Sequence, residues 1–289
     1  MEIRWNRNPG TGWSRPEEMV VLEKNGVVWL SFPALDDTGL VRNGFSTRHG
    51  GVSRGYYASM NLSFSRNDDQ AAVMENYRRM GEAVGVSTDS MVLSWQTHTT
   101  NIRRVTEKDK GKGILRDRDY RDIDGLITDI PGITLVTFYA DCVPLYFLDP
   151  KKKAIGLSHS GWRGTVKRMG EATLNEMKKA YGTDPGDVIA CIGPSICRGC
   201  FEVGEDVIEE VKKAFGPQGA EGLYCAGKEP GKYQMDLWKA NRKVLEDAGV
   251  KPANIHTAGI CTMCNPDHFY SHRVMGDSRG NLAAFLALR

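Results

Sequence analysis

Short apolar runs rich in β-branched and aromatic residues alternate along the chain with segments of helical periodicity. The runs have the length and composition of strands, and they cover residues 27–32, 91–95, 134–139, 145–148, 154–157, 188–192 and 255–259. Apolar residues recur every three or four positions over residues 73–84, 166–180, 207–214 and 237–248, which predicts helices. Asp68 and Asp236 are placed to cap two of these helices. Interleaved strands and helices predict a mixed α/β fold, with helices flanking layered β-sheets.

The length of 289 residues permits one large domain or two small ones. The sequence contains no repeat, no low-complexity tract and no linker rich in proline, glycine or serine that would separate two domains. We therefore expect a single domain over residues 1–289, with residues 1–20 forming a peripheral segment.

Charge and composition disfavour several classes of partner. Lysine plus arginine (38) nearly balance aspartate plus glutamate (36), and a net charge of +2 gives no strong field for nucleic acid or anionic lipid. The N-terminus lacks the apolar core of a secretory signal, and the longest apolar stretch, residues 133–148, is too short to cross a bilayer. Seven cysteines without an export signal favour reduced thiols or metal ligands over disulfides. We expect a cytoplasmic protein with a small-molecule substrate, without a nucleic-acid or membrane partner.

Two histidines and one cysteine each follow an apolar run. His98 ends VLSWQTH, Cys142 ends TLVTFYADC and His159 ends AIGLSH. Side chains at the carboxyl ends of neighbouring strands converge on one crevice in open α/β sheets. Two imidazoles and a thiolate suit zinc, whose catalytic sites use three protein ligands and leave one position open. The pattern therefore predicts a zinc site formed by these three side chains.

Three other interpretations of the same residues remain at this point. They can be ordinary buried core residues. They can form a metal-free pair in which Cys142 is a nucleophile and His98 or His159 is its base. They can also form a blue-copper site, which needs two histidines and a cysteine with a weak axial methionine.

Two glycine-rich segments are candidates for anion binding. In residues 46–53, Arg48 stands beside the Gly50-Gly51 turn, whose amides can form an anion nest. In residues 159–164, Arg163 lies where a strand passes into the helix expected to begin near Thr165. A surface turn and an ordinary strand-to-helix turn are the structural alternatives. We expect Arg48 to bind phosphate rather than to stabilise the fold.

Two Cys-x-x-Cys pairs, Cys197/Cys200 and Cys261/Cys264, contain the ligands of a structural zinc site. The gap of about 60 residues between them is longer than a compact zinc ribbon uses, so unpaired buried thiols are the expectation. His256, His268 and His272 are expected to be hydrogen-bonded structural histidines.

An ordered set of motifs extends over about residues 40–289. The motifs are STRHGGVS, ASMNLSF, WQTH, DGLITD, ADCVPLYFLD, HSGWRGT, IGPSICRGCFEVG and CTMCNPDHFYSHR. In this order they resemble the motifs of the YfiH-like family, also called laccase-domain or polyphenol oxidase proteins. The resemblance implies a mixed α/β fold with layered sheets. It also implies one zinc ion, held by the residues that match the family's ligands, His98, Cys142 and His159.

The activity that the resemblance implies is that of a purine nucleoside phosphorylase acting on adenosine, inosine and methylthioadenosine, with adenosine deaminase activity. His98, Cys142, His159 and Asp141 are then the candidate catalytic residues, and Asp141 is an acid that could assist the departing purine. Asn61, in ASMNLSF, joins Arg48 and Arg163 as a candidate substrate-binding residue.

Two alternative activities are associated with the same resemblance. Bacterial members are described as peptidoglycan-editing factors, which implies a hydrolase acting on nucleotide-linked muropeptides. The older name implies a copper-dependent polyphenol oxidase. A multicopper oxidase needs a trinuclear cluster fed by paired His-x-His segments, and the chain has six histidines and no such pair. Copper is therefore the less favoured metal.

Overall fold

The computed structural model describes residues 3–11 and 17–289. Its helices, in chain order, are α1 (Pro33–Asp36), α2 (Gln70–Val84), α3 (Trp162–Val166), α4 (Met169–Tyr181), α5 (Glu205–Gly219), α6 (Leu237–Asp247) and α7 (His272–Met275). The helices expected over residues 73–84, 207–214 and 237–248 are present as α2, α5 and α6. The helix expected over residues 166–180 is divided, because Arg168 adopts a left-handed conformation (φ 61°) and separates α3 from α4. The first piece also begins at Trp162, before the expected start near Thr165.

The two predicted helix caps have different outcomes. Asp236 caps α6, since its carboxylate accepts a hydrogen bond from the Lys239 amide. Asp68 does not cap α2, because the neighbouring Asp69 takes that position. The carboxylate of Asp68 instead accepts hydrogen bonds from Ser53 and Asn61. The predicted cap of α2 was therefore wrong by one residue, because the N-cap position is occupied by Asp69.

The strands, in chain order, are β1 (Val20–Lys24), β2 (Val27–Ser31), β3 (Val41–Ser46), β4 (Met91–Leu93), β5 (Ile102–Arg104), β6 (Gly125–Thr128), β7 (Thr134–Tyr139), β8 (Val143–Asp149), β9 (Ala154–Ser160), β10 (Ile189–Ile192), β11 (Glu202–Gly204), β12 (Tyr224–Ala226), β13 (Lys232–Met235), β14 (Ile255–Thr257) and β15 (Leu282–Leu288). All seven predicted strands are present. β7 has the predicted bounds, whereas β1, β3, β5, β6, β11, β12, β13 and β15 were not predicted.

The strands form two six-stranded sheets and one three-stranded sheet. The first sheet has the order β1-β2-β3-β15-β7-β4 and the second has β14-β10-β8-β9-β6-β5. Most pairs are antiparallel, but β4 pairs parallel to β7, β5 to β6 and β14 to β10. The small sheet, β11-β13-β12, is antiparallel. The predicted mixed α/β class with layered sheets is confirmed.

The two large sheets pack face to face, and helices cover their outer faces. Successive side chains of a strand point to opposite faces. Leu135 of β7 therefore faces the second sheet and contributes to the core between the sheets, whereas Val136 packs in the cluster that contains α2. Leu145 of β8 packs in the cluster that contains α4 and α6, while Tyr146 faces the first sheet. The layers are thus helix, sheet, sheet and helix.

The N-terminal segment lies against the rest of the chain where it is described. Trp5 stacks on Phe269 with ring centroids 5.5 Å apart, and the side chain of Asn8 donates to the carbonyl of Gly199. Of the segment expected to be peripheral, residues 1, 2 and 12–16 lie outside the described residues. In the parts of the chain that the structure describes, none of the helices has the length and apolar character needed to cross a membrane.

Candidate active site

His98, Cys142 and His159 meet at the seam between the two large sheets. His98 lies beyond β4, Cys142 lies in the connection from β7 to β8, and His159 lies in β9. One potential ligand atom from each residue lies within 4.8 Å of the other two. The Sγ atom of Cys142 is 4.0 Å from Nε2 of His98. The three side chains could therefore bind one ion together.

The way in which these residues converge differs from the expected one. They do not lie at the carboxyl edge of one open sheet. β4 and β7 belong to the first sheet, whereas β9 belongs to the second and pairs antiparallel with both of its neighbours. The β7–β8 connection passes from one sheet to the other and places Cys142 between them. Face-to-face packing of the sheets therefore assembles the site.

Asp124, a buried residue that the motif analysis did not single out, organises two of the three side chains. Its carboxylate accepts hydrogen bonds from the backbone amides of Thr97, His98 and Thr99, at 2.9–3.0 Å. It also lies 2.8 Å from Nδ1 of His159, which leaves Nε2 of that ring for a metal. A carboxylate behind a ligating histidine fixes the tautomer and the orientation of the ring. In the sequence, Asp124 is distinguished only as the first residue of DGLITD. An aspartate before a glycine is equally typical of a turn, so the supporting role could not be predicted from it.

Close packing and unusual backbone conformations define the immediate surroundings. His98 and Asp141 both have left-handed backbones, with φ values of 65° and 85°. Such conformations are uncommon for residues other than glycine and persist where the surroundings impose them. A Cβ atom on Gly161 would lie 2.9 Å from the Cys142 sulfur and 3.1 Å from the His98 ring. Glycine therefore allows the backbone to approach the two ligands.

Charge interactions within the site favour the thiolate form of Cys142. Burial raises the pKa of the thiol, but His159 and His98 outweigh that effect and lower the pKa to about 6. Burial likewise lowers the pKa of His159, but the Cys142 thiolate and the Asp124 carboxylate raise it to about 9. The same pair is compatible with a metal-free nucleophile and base. A thiolate is, however, also the form of cysteine that binds zinc.

The three donors fit a zinc ion. Tetrahedral zinc with a Zn–S bond of about 2.3 Å and a Zn–N bond of about 2.05 Å separates sulfur and nitrogen ligands by about 3.6 Å. The 4.0 Å between Cys142 and His98 requires only a small adjustment. Two imidazoles, one thiolate and a supporting carboxylate also match the ligand types of catalytic zinc sites.

Asp141 is fully engaged in holding the loop that carries Cys142. Its carboxylate accepts hydrogen bonds from the hydroxyls of Thr262 (2.7 Å) and Ser271 (2.9 Å) and from the amide of Arg273 (2.7 Å). Its carbonyl accepts from the amide of Ile196. These contacts indicate a positioning role. Asp141 also lines the smaller cavity beside the three candidate ligands, so its role as an acid that assists the departing purine stays a prediction.

A cavity of about 610 Å³ opens beside the three candidate ligands, and its lining includes Arg66, Arg163 and Arg279. A smaller and more apolar cavity of about 160 Å³ adjoins it, lined among others by Phe201 and Leu237. Ala140, Cys142, Trp162 and His272 line both cavities. The volume of the larger cavity is typical of small-molecule sites. The candidate metal site therefore faces a cationic compartment and an apolar one.

Arg279 is a second residue that the sequence analysis missed. Its guanidinium is buried and lines the larger cavity, and its Nε atom has no hydrogen-bond partner among the described residues. Burial lowers the pKa of Arg279 to about 10, and the charge of Arg66 acts in the same direction. An anion between these two arginines would relieve their repulsion. The segment MGDSRGN gave no signal beyond that of a polar loop.

The structure places Arg163 at the cavity but Arg48 elsewhere. Arg163 is exposed and stacks on Trp162, with its guanidinium carbon 4.3 Å from the ring centroid. Arg48 instead uses its guanidinium to hold the backbone. Nε and Nη2 donate to the Ala58 carbonyl and Nη1 donates to the Pro266 carbonyl, at 2.7–2.9 Å. These contacts favour the structural alternative for Arg48.

The turn beside Arg48 does not offer the expected anion nest. The amide of Gly51 donates to the Ser59 hydroxyl and the amide of Val52 donates to the Asn76 side chain. A Cβ atom on Gly51 would overlap the Ser59 carbonyl, so packing explains the glycine. The expectation of phosphate binding at this turn is corrected on these contacts.

Asn61 is likewise directed into the fold. Its side chain is fully buried and bonds to Ser63, Asp68 and the amide of Asn281. The expected substrate contact is therefore replaced by an indirect role, because Asn281 lines the larger cavity.

The remaining histidines divide between structural contacts and the cavity. His268 lies 2.8 Å from the His49 ring, and His256 lies 2.8 Å from the Glu18 carboxylate. His272 is exposed at the start of α7 and lines both cavities. All three expected structural histidines thus have hydrogen-bond partners, since Nδ1 of His272 lies 3.1 Å from the Gly276 carbonyl, while Nε2 of His272 is available to a ligand.

Replacing Asp124 with asparagine should weaken metal binding at the His98, Cys142 and His159 site. The amide keeps the shape but has no charge to favour the Nδ1–H tautomer of His159. Loss of a partner behind a ligating histidine typically costs metal affinity about 10- to 100-fold. Competition with a chelator measures the affinity, and Asp117→Asn, at an exposed position of the same β5–β6 connection, is the control. An unchanged affinity in Asp124→Asn would contradict the supporting role.

Comparison with known proteins gives one consistent family. The family model described as multi-copper polyphenol oxidoreductase laccase matches residues 42–289. The chain is 34% identical over 250 residues to the purine nucleoside phosphorylase YlmD of Bacillus subtilis, covering 85% of this chain and 88% of the relative. It is 35% identical over 238 residues to adenosine deaminase RL5 of an unknown prokaryotic organism, covering 82% and 90%.

The fold is also found in a solved structure. The crystal structure of the Bacillus licheniformis hypothetical protein YfiH matches with a TM-score of 0.86 and 29% identity, covering 92% of this chain and 98% of that one. The predicted resemblance to YfiH-like proteins is confirmed.

Proposed function

The chain belongs to the multi-copper polyphenol oxidoreductase laccase family, and we propose that it is a zinc-dependent purine nucleoside phosphorylase that also deaminates adenosine. The observation that carries this proposal is the placement of His98, Cys142 and His159 between a cationic cavity and an apolar one. A purine nucleoside and inorganic phosphate together need both environments. The names of the two relatives, a phosphorylase and a deaminase, support the same reactions.

The proposed metal is one zinc ion at the three side chains, with Nε2 of His159 and the Cys142 thiolate among its donors. When bound there, zinc supplies a Lewis acid that can lower the pKa of a water molecule from 15.7 to about 7. Copper is disfavoured as the cofactor, because six histidines cannot supply a trinuclear cluster in addition to this site.

Phosphorolysis requires phosphate to reach C1′ of the ribose while the purine leaves. A phosphate oxygen forms the new bond to C1′, the bond from C1′ to N9 breaks, and the purine takes up a proton. We assign phosphate binding to Arg279, Arg66 and Arg163, because these guanidinium groups line the larger cavity. Arginine presents a planar, permanently charged donor set suited to phosphate oxygens. Adenosine, inosine and methylthioadenosine are the proposed nucleosides.

The purine is assigned to the smaller cavity. Trp162 and Phe201 offer aromatic faces there, and Leu237 contributes apolar surface. Such a compartment favours a flat ring over a charged group. His272 lines both cavities, and its Nδ1 atom lies 3.1 Å from the Gly276 carbonyl. This leaves Nε2 as the candidate group for proton transfer to the departing base.

The proposed function is tested with purified protein and adenosine, with and without phosphate. We expect adenine and ribose 1-phosphate only when phosphate is present, and inosine with ammonia in both cases. Chromatography separates these products, and inosine as substrate isolates phosphorolysis from deamination. Absence of all products from zinc-loaded protein would overturn the proposal. Cleavage of a nucleotide-linked muropeptide without phosphate would support the peptidoglycan-editing alternative instead.

A further inference from the structure

We propose that Cys197, Cys200, Cys261 and Cys264 bind a second, structural zinc ion, separate from the one at the candidate active site. The four sulfur atoms lie within 4.8 Å of one another. Those of Cys200 and Cys264 are 3.4 Å apart. Four cysteine thiolates are the ligand set of closed structural zinc sites. This inference does not depend on the nucleoside chemistry.

The fold explains how pairs that are distant in sequence come together. β10 and β14 are parallel neighbours in the second sheet, and each Cys-x-x-Cys pair lies in the segment that follows one of these strands. A bridge between Ser195 and Cys261 continues the parallel pairing beyond the strand ends. The intervening residues form a crossover that contains α5, the small sheet and α6. The number of residues between the two cysteine pairs therefore reflects the length of this crossover and does not indicate how far apart the pairs lie in the fold.

The separation of the sulfurs fits one ion better than the alternatives. A tetrahedral ion with bonds of about 2.3 Å holds its sulfur ligands about 3.8 Å apart. A disulfide needs a sulfur–sulfur distance of about 2.05 Å, which is much shorter than the 3.4 Å between Cys200 and Cys264. A four-iron cluster attaches each cysteine to a different iron and spreads the sulfurs farther apart.

Hydrogen bonds around the sulfurs also suit thiolates. The Cys261 sulfur accepts from the amides of Cys197 (3.3 Å) and Cys264 (3.4 Å). The side-chain amide of Asn8 donates to the Cys200 sulfur at 3.6 Å. Donors directed at sulfur stabilise its negative charge. Cys197 and Cys261 are buried, so this cluster has the enclosed character of a structural site.

The second zinc would also stabilise the active-site loop. Ile196 precedes the first cysteine and donates its amide to the Asp141 carbonyl, while Thr262, between the two later cysteines, donates to the Asp141 carboxylate. Asp141 directly precedes Cys142. Joining these two segments through one ion therefore fixes the residue that positions the Cys142 loop.

The test counts zinc ions and thiols in the intact protein. Native mass spectrometry and elemental analysis of the wild-type chain should give two zinc ions. Cys264→Ser and Cys142→Ala should each retain one, and the double variant should retain none. Cys225→Ser is the matched control, because Cys225 is exposed and lies outside both clusters, and it should retain two. Nucleoside turnover is measured separately, so failure of the proposed function leaves the zinc count interpretable.

Three results would overturn the inference. One is a single zinc in the wild-type chain that persists in Cys264→Ser. The second is a disulfide among the four cysteines, detected by mass spectrometry after alkylation without reductant. The third is bound iron with visible absorption. If Cys264→Ser does not fold, stepwise titration of the wild-type protein with a mercurial reagent still decides the question. Release of two zinc ions by the reagent would support the site, provided that the four cysteines resist alkylation before the titration.

Discussion

Replacing Cys142 with alanine should remove the active-site zinc and abolish phosphorolysis and deamination together. The substitution removes the thiolate, which is the strongest donor of the three and the one that carries negative charge. Loss of a residue that merely supports a ligand already costs metal affinity about 10- to 100-fold. Loss of the ligand itself should cost more. Elemental analysis should show one zinc fewer per chain than in the wild type, and circular dichroism should show an intact fold.

The same variant separates a metal ligand from a nucleophile. If Cys142 attacks the substrate without a metal, Cys142→Ala keeps its zinc content and loses turnover. If Cys142 is a ligand, zinc content and turnover fall together, and high zinc concentrations partly restore both. Cys225→Ala, at an exposed position on β12, controls for the loss of a thiol elsewhere. Full zinc binding with no turnover in Cys142→Ala would contradict the proposed role.

The elements that the sequence predicted best are those whose own residues carry the signal. The residues of β7 are apolar or β-branched along their whole length, and its bounds agree with the prediction. The three candidate metal ligands were identified for a similar reason, because each follows a strong apolar run and has an unusual side chain for that position. Local sequence thus sufficed to predict β7 and to identify the candidate ligands that follow such apolar runs.

The predictions that the structure does not support depend on features that the local pattern of residue types does not report. Arg48 and the Gly50-Gly51 turn have the composition of a phosphate site, but the carbonyls of Ala58 and Pro266 and the Ser59 hydroxyl occupy their donors. Arg168 interrupts a periodic helix because of its backbone conformation, which periodicity does not report. Side-chain and backbone partners decided the first case, and a local backbone conformation decided the second.

The roles of Asp124 and of the two cysteine pairs could not be predicted from sequence for a related reason. Asp124 lies 26 residues from His98 and 35 from His159 along the chain, and only the packing of two sheets brings it behind both. The two cysteine pairs are adjacent because β10 and β14 are neighbours across a long crossover. Strand order is a property of the whole fold, and spacing in sequence gives little information about it.

The backbone contacts of Arg48 change the result expected for the Arg48→Ala variant. Its guanidinium satisfies two backbone carbonyls and lies 5.0 Å from the centroid of the Tyr270 ring. Arg48→Ala should therefore lower stability modestly, because it removes hydrogen bonds to two partly buried carbonyls, and a typical hydrogen bond contributes about 0.5–1.5 kcal/mol. It should leave the apparent affinity for phosphate close to that of the wild type. The variant thus serves as the control for an arginine that lines the cavity.

Arg279→Ala should raise the KM for phosphate in phosphorolysis about 10- to 100-fold, since a hydrogen bond to a charged group contributes about 1.5–3 kcal/mol. Arg279→Lys keeps the positive charge but not the planar donor set, so its KM should lie between those of Arg279→Ala and the wild type. Deamination uses no phosphate and should fall much less in both variants. Initial rates with inosine at varied phosphate, and with adenosine without phosphate, measure the two effects. Equal losses in the two reactions would mean that Arg279 positions the nucleoside. An unchanged KM for phosphate in Arg279→Ala, combined with a raised one in Arg48→Ala, would return the phosphate site to the STRHGG turn.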